Sequence, residues 1–226
     1  MSELPPPRAG VLFDLDGTLL DSAPDLAAAL QKLCAEQGHV MPPYAAVREV
    51  VSQGASAVIR SAWPEVVAET IAALLPRFLV LYGEDLAAQT RPFAGIEPLL
   101  AALDRAGTPW GIVTNKVAAL TLPLLDRLGL ASRAAAIVAG DTLALKKPDP
   151  APVLHACSLA GIAPRRSVFV GDDRRDVEAG RAAGLFTVAV AWGYLGGENP
   201  LDWRADALVA TPQELAALLR RQALCA

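Results

Sequence analysis

Two carboxylates stand two residues apart in the stretch VLFDLDGTLLDS: Asp14 and Asp16, directly after the apolar run Val11, Leu12, Phe13. A buried strand has no local need for two acids at its end, because a carboxylate removed from water is costly unless it is paired. Asp14 alone would pass as a turn or helix cap, a common task of aspartate. A pair can do more: in different surroundings one acid stays ionised while the other holds a proton, and the bend at Gly17 can give them such surroundings. More polar groups follow apolar runs downstream. They are Thr114-Asn115-Lys116, Asp141, and Asp172-Asp173 within GDDRRD, with Lys146-Lys147 in KKPDP. Singly these are turn chemistry, surface lysines or a solvated charge run. Together, in this order, they describe one converging site.

The elements that must position them can be read from periodicity. Residues 10–14, 109–114, 135–140, 167–172 and 186–192 are short, β-branched and continuously apolar, the pattern of a parallel sheet buried on both faces. Helical periodicity fills 95–106, 118–128, 150–160 and 177–183. A last helix follows Thr211, where TPQEL supplies an N-cap, a proline at the first helical position and an early acid. The alternation predicts an α/β fold with a doubly wound parallel sheet, in which ligands sit at the carboxyl ends of the strands. Residues 23–88 break the rhythm with helices alone. PDLAAALQKLCAEQG ends at Gly38, Pro42-Pro43 opens the next helix, and PEVVAETIAALLPRFLVLYGEDLA reads as a long helix with a bend at Pro76. The expected organisation is a catalytic core of 1–22 and 89–226 with an inserted helical cap, 23–88. GYLGGENP is a loop near a strand's carboxyl end.

Composition bounds the function classes. The chain has 226 residues, 53% hydrophobic and 19% charged, enough for a full core. A net charge of −4 gives no reason to expect nucleic acid or an acidic membrane surface. Cys34, Cys157 and Cys225 are an odd number at no metal-like spacing, which favours free thiols in a reducing compartment. MSELPPPRAG lacks a basic region followed by an apolar run, and no apolar run approaches the roughly 20 residues that cross a bilayer. A cytoplasmic protein, monomer or homodimer, is expected, with LPPP mobile. His39 and His155 match no catalytic pattern, and the four tryptophans read as packing residues.

DLDGTLLDS, VTNK, KKPDP and GDDRRDVEAGRAAG resemble, in order, the four motifs of the haloacid dehalogenase-like hydrolases. The resemblance covers nearly the whole chain and is to the phosphatase branch with a small helical cap. Within it the chain is similar to phosphoglycolate phosphatases and N-acetylmuramic acid 6-phosphate phosphatases; the tail WGYLGGENPLDWRADALVATPQEL resembles the latter more closely.

The resemblance implies a phosphatase acting on a small phosphate ester. Mg2+ would lie on the side chains of Asp14 and Asp172 and the carbonyl of Asp16, offsetting the repulsion between a carboxylate and an anionic ester. Asp14 would be the nucleophile, forming an aspartyl-phosphate, and Asp16 the general acid and then base. Thr114 and Asn115 would donate to the phosphoryl group, Lys147 would contact it and Asp14, and Asp176 would stand in the outer shell of the metal. Asp173 replaces the small hydroxyl residue of many relatives; its role stays open.

The cap would choose the ester. VSQGAS interrupts the helical pattern and is predicted to point into the site, with Ser52, Gln53, Gly54 and Ala55 contacting substrate. Gly54 permits close approach, and the following helix amides suit a carboxylate. The alternative is an ordinary helix–helix turn. Arg48, Arg60 and Arg91 are further candidates but read as solvated surface residues. N-acetylmuramic acid 6-phosphate would mean cell-wall recycling and 2-phosphoglycolate carbon salvage. A β-phosphoglucomutase-type mutase shares all four motifs, a metal-independent dehalogenase would not need Asp16, and a non-catalytic metabolite sensor would not need the intact site.

Overall fold

The computed structural model describes residues 8–224; LPPP and Cys225 lie outside them. The chain begins with β1 (Val11–Phe13) and the short β2 (Leu20–Asp21), then enters the helices α1 (Ala23–Glu36), α2 (Tyr44–Glu49), α3 (Ala55–Ala62) and α4 (Ala68–Glu84), with a 3-10 turn at Val51–Gln53 before α3. It returns through β3 (Arg91–Pro92) and continues as α5 (Ile96–Ala106), β4 (Trp110–Val113), α6 (Ala118–Arg127), β5 (Ala136–Val138) and α7 (Ala151–Ala160). The remainder is β6 (Val168–Gly171), α8 (Arg174–Ala182), β7 (Phe186–Val190), β8 (Ala207–Val209) and α9 (Pro212–Arg221).

Among the described residues the main sheet runs β5-β4-β1-β6-β7-β8, all pairs parallel. Alternation within β1 explains its continuous hydrophobicity. Val11 and Phe13 pack in one cluster with Ile112 and Val170, while Leu12 turns to the other face with Val113, Phe169 and Val153 of α7. Phe13 pairs with Ile112 on one side and Val170 on the other. That register carries Asp14, Thr114 and Asp172 to one edge of the sheet, where the strand order reverses around β1.

The inserted helices join the core at a narrow neck. β2 and β3 pair antiparallel, Leu20 with Pro92 and Asp21 with Arg91, so the outgoing and returning chains lie side by side. Buried Asp25 staples the neck: it accepts from the amides of Gln89 at 2.7 Å and Thr90 at 3.0 Å and from the Thr90 hydroxyl at 2.6 Å.

The structure departs from expectation in particular places. β8 was not anticipated, because ALV in ADALVA is short and half-exposed at a sheet edge. Helix α4 starts at Ala68 rather than Pro64 and runs through Pro76. Helix α8 starts three residues before Val177, because Asp173 caps it: the Asp173 carboxylate accepts from the Arg175 amide while Asp176 accepts from the Asp173 amide, a reciprocal capping box. Thr211 caps α9 as its sequence indicates, accepting from the Glu214 amide. No described helix is long and apolar enough to cross a membrane.

Candidate active site

The floor of the site is a buried ion-pair cluster. Lys147 reaches in from the loop before α7 and places Nζ 2.6 Å from Asp14 Oδ1, 2.7 Å from Asp176 Oδ1 and 2.7 Å from the Val113 carbonyl. Burial disfavours its ammonium, but Asp14 and Asp176 outweigh that and raise its pKa. Asp172, wholly buried at the end of β6, accepts from Thr18 Oγ1 at 2.7 Å on one oxygen, and from Ser52 Oγ at 2.7 Å and the Tyr194 amide at 2.8 Å on the other.

Asp16 faces different company. Its oxygens lie 3.1 and 3.2 Å from Lys116 Nζ, and Ser22 donates to it at 2.5 Å. Lys116 in turn lies 4.5 Å above the ring of Tyr82 from α4, a cation–π contact. The two acids of DLDGT therefore have separate partners, Lys147 for Asp14 and Lys116 for Asp16. Gly17 makes the turn possible: its φ is +88°, and a Cβ there would stand 2.0 Å from Asp172 Oδ2.

Thr114 is buried beside this cluster and accepts from the Lys116 amide at 3.1 Å, which leaves its hydroxyl proton for another acceptor. Asn115 is differently employed from expectation. Its side chain makes a two-way pair with the Lys147 main chain, donating at 3.0 Å and accepting at 3.1 Å, so it fixes the loop that carries the lysine. Asp141 turns away and accepts from the Ala118 amide at 2.7 Å, near the start of α6.

The residues present fit a divalent cation. Asp14, Asp172 and Asp176 bring carboxylate oxygens within 4.8 Å of one another, all buried. Burial and then the neighbouring Asp14 charge push the Asp172 carboxyl up to about 7. Asp176 is raised well above the ordinary carboxylate range and Asp14 is raised too, in both cases mainly by burial. Lys147 pairs with Asp14 and Asp176 while Asp172 meets only neutral donors, so a second positive charge is needed to keep all three ionised. An all-oxygen donor set suits Mg2+, the cofactor of this site. The Asp16 carbonyl converges on the same point, since the Ser52 hydroxyl that meets Asp172 also lies 3.4 Å from it.

The roof comes from the insertion. A cavity of 340 Å³ separates it from the core, and Ser52, Gln53, Gly54 and Ala55 line this cavity together with Asp14, Asp16, Thr114 and Lys147. VSQGAS thus lines the same cavity as the acids. Leu26, Leu75, Leu79 and Leu120 form an apolar wall. Arg48 is not the solvated surface residue expected. It lies 4.7 Å over the Tyr194 ring and donates to the carbonyls of Gly193 at 3.4 Å and Trp192 at 3.3 Å, tying α2 to the loop after β7. Arg60 and Arg91 do bond locally, to Val66 and to Ala87 and Thr90. His39 stacks on Trp63 at 4.6 Å and its ring meets the Ala62 carbonyl at 2.5 Å, away from the cavity lining.

Sequence reasoning placed Lys116 at the converging strand ends without a task, and it missed Thr18, Ser22, Tyr82, Arg175 and Tyr194. Thr18 and Ser22 sit inside the quoted DLDGTLLDS, and Lys116 inside VTNK, so proximity to the motif was the available signal. Arg175 sits in GDDRRD and Tyr194 in the loop GYLGGENP, which carried the same signal; Tyr82, in the insertion, carried none.

A family model described as haloacid dehalogenase-like hydrolase matches residues 11–190. A phosphoglycolate phosphatase of Xanthomonas campestris pv. campestris is 47% identical over 210 residues, 92% of this chain and 95% of that protein. An N-acetylmuramic acid 6-phosphate phosphatase of Pseudomonas aeruginosa is also 47% identical, over 219 residues, 95% of this chain and 96% of its own. Among solved structures, that of a predicted phosphoglycolate phosphatase from Haemophilus somnus superposes with a TM-score of 0.83 at 26% identity, covering 93% of this chain and 97% of the other.

Proposed function

This chain belongs to the haloacid dehalogenase-like hydrolases, and we propose that it hydrolyses N-acetylmuramic acid 6-phosphate in preference to 2-phosphoglycolate. The activity is Mg2+-dependent hydrolysis of a small phosphate monoester through an aspartyl-phosphate. In this reading the ester enters beneath the cap, residues 23–88, which closes on a core of 1–22 and 89–226, and the enzyme works in the cytoplasm.

The observation that carries the choice of ester is the cavity. Its 340 Å³ lies at the small end of ligand sites, roughly 300–1,000 Å³, yet exceeds what a two-carbon ester fills. The leucine wall offers apolar contact to the methyl groups of an N-acetyl and a lactyl ether; glycolate carries no methyl group to meet it. Both esters carry a carboxylate, which the amide of Ala55, opening α3, is placed to receive; the Gly54 amide is already given to the Val51 carbonyl at 2.9 Å.

Each residue then has a task. Lys147 holds Asp14 Oδ1, which orients the carboxylate and leaves its other oxygen to attack phosphorus. Thr114 Oγ1 donates to a phosphoryl oxygen. Asp16 protonates the departing ester oxygen and afterwards takes a proton from the attacking water. Its two donors, Lys116 and Ser22, fix its orientation. Asn115 keeps Lys147 in place from behind. Asp14, Asp172 and the Asp16 carbonyl would hold Mg2+, which when bound would supply neutralisation of phosphoryl charge.

Phosphate release by the purified full chain with Mg2+ tests this reading. kcat/KM for N-acetylmuramic acid 6-phosphate is expected to exceed that for 2-phosphoglycolate by at least about tenfold, the scale of lost apolar contacts in a pocket. A preference for 2-phosphoglycolate would reverse the assignment.

A further inference from the structure

Ser52 belongs to the cap, yet it touches the metal site more directly than it touches the cavity's substrate end. Its hydroxyl lies 2.7 Å from Asp172 Oδ2 and 3.4 Å from the Asp16 carbonyl. Its own carbonyl accepts from Arg175 Nη2 at 2.6 Å. Arg175 is itself clamped: Nε meets Asp173 Oδ1 at 2.8 Å and Nη2 meets Asp173 Oδ2 at 2.8 Å, the two-point geometry that guanidinium and carboxylate favour. Both ends of one cap residue are therefore held by α8 and by the strand end that precedes it. We propose that Ser52 is a positioning residue of the metal site, delivered by the cap and held in place by the Asp173–Arg175 pair. The proposal rests on the phosphatase reading, since the site served is that of its cation.

The physical argument is one of orientation and linkage. A carboxylate ligand is fixed by its other hydrogen bonds, and the outer partners of metal ligands contribute strongly to affinity. Asp172 Oδ2 has two such partners, the Tyr194 amide from the core and the Ser52 hydroxyl from the cap. If the cap supplies one of them, metal affinity depends on cap docking, and by thermodynamic reciprocity the metal favours docking by the same factor. This gives Asp173 a task that needs no metal contact. That task is to aim Arg175 at the cap.

Mn2+ titrated into the full chain without substrate, followed by electron paramagnetic resonance, tests the proposal apart from turnover. Ser52→Ala is expected to weaken Mn2+ binding by roughly tenfold, within the range for outer-shell partners, and Ser52→Thr to restore most of it. Arg175→Met is expected to weaken binding in the same direction, against the gain that removing a positive charge near Asp176 and Asp14 would give by itself. Wild-type affinity in Ser52→Ala, or in Arg175→Met, would overturn the proposal while leaving the phosphatase reading intact. Absence of Mn2+ binding by the wild-type chain would overturn both.

Discussion

Lys147 Nζ stands 2.6 Å from Asp14 Oδ1 and is shared with Asp176 at 2.7 Å, both acids being buried. The lysine is thus the resident countercharge of the cluster as well as a contact for the phosphoryl group. Removing it leaves two buried carboxylates facing each other without compensation, a change that typically costs about 3–5 kcal/mol. Lys147→Met is expected to lower stability in EDTA by that order and to regain part of it when Mg2+ is added. Its kcat should fall by roughly 10²–10³, as for other lost charge contacts at a reacting group. Chemical denaturation with and without Mg2+, alongside steady-state kinetics, checks both halves.

The Asp16 side chain is held by Lys116 and Ser22 rather than by Lys147. Asp16→Asn should therefore reduce kcat by about 10²–10⁴, the usual range for a lost proton donor, with KM little changed. A rise in KM that matched the fall in kcat/KM, with kcat intact, would mean that Asp16 binds rather than transfers protons.

The metal-free protein should lose stability as pH rises. Asp172 is pushed up to about 7 in the folded state, against 3.8 for the unpaired group, and Asp14 and Asp176 are also raised. The folded state then binds more protons than the unfolded chain between these values, so unfolding free energy decreases with pH through that window. Melting temperature in EDTA is expected to fall from about pH 5 to about pH 8, and saturating Mg2+ should flatten the trend because it binds the ionised acids. Asp172→Asn should weaken the dependence. A melting temperature in EDTA that climbed over this range would contradict the account.

Gly17→Ala combines two faults: a side chain at φ +88° and a Cβ 2.0 Å from Asp172 Oδ2. The strained backbone alone costs of order 1–3 kcal/mol. Activity and Mn2+ affinity should both fall steeply, since the displaced group is a carboxylate of the metal cluster. Retained affinity would mean that the DLDGT turn tolerates more movement than its packing allows.

What the sequence made legible, and what it hid, follows from the range of the interactions. Strands β1, β4, β5, β6 and β7 announced themselves because each is locally apolar on both faces. The site converged because polar residues followed those strands directly. The capping box of α8 is written in DDRRD, where the sequence shows the acids of the site but not the cap, since a cap and a solvated acid look alike until the amides they serve are known. Asn115 shows the same ambiguity: an amide at a strand end suits a phosphoryl group, and only the fold brings the Lys147 main chain within 3.0 Å of it. The cap contacts were the least legible. Arg48 and Gly193 are 145 residues apart, and Ser52 and Asp172 are 120 apart. No local periodicity records which loop a cap will meet.

The central claim is that Asp14 carries the phosphoryl group between the two half-reactions. The most direct measurement traps that group on the wild-type chain. The protein is mixed with Mg2+ and N-acetylmuramic acid 6-phosphate, quenched rapidly in acid during turnover, and its peptides are weighed by mass spectrometry. The account expects the peptide containing Asp14 to gain the mass of one phosphoryl group, and Asp14→Asn to abolish that gain. Phosphate release by Asp14→Asn at the wild-type rate, or a phosphoryl group found on any other peptide, would contradict it.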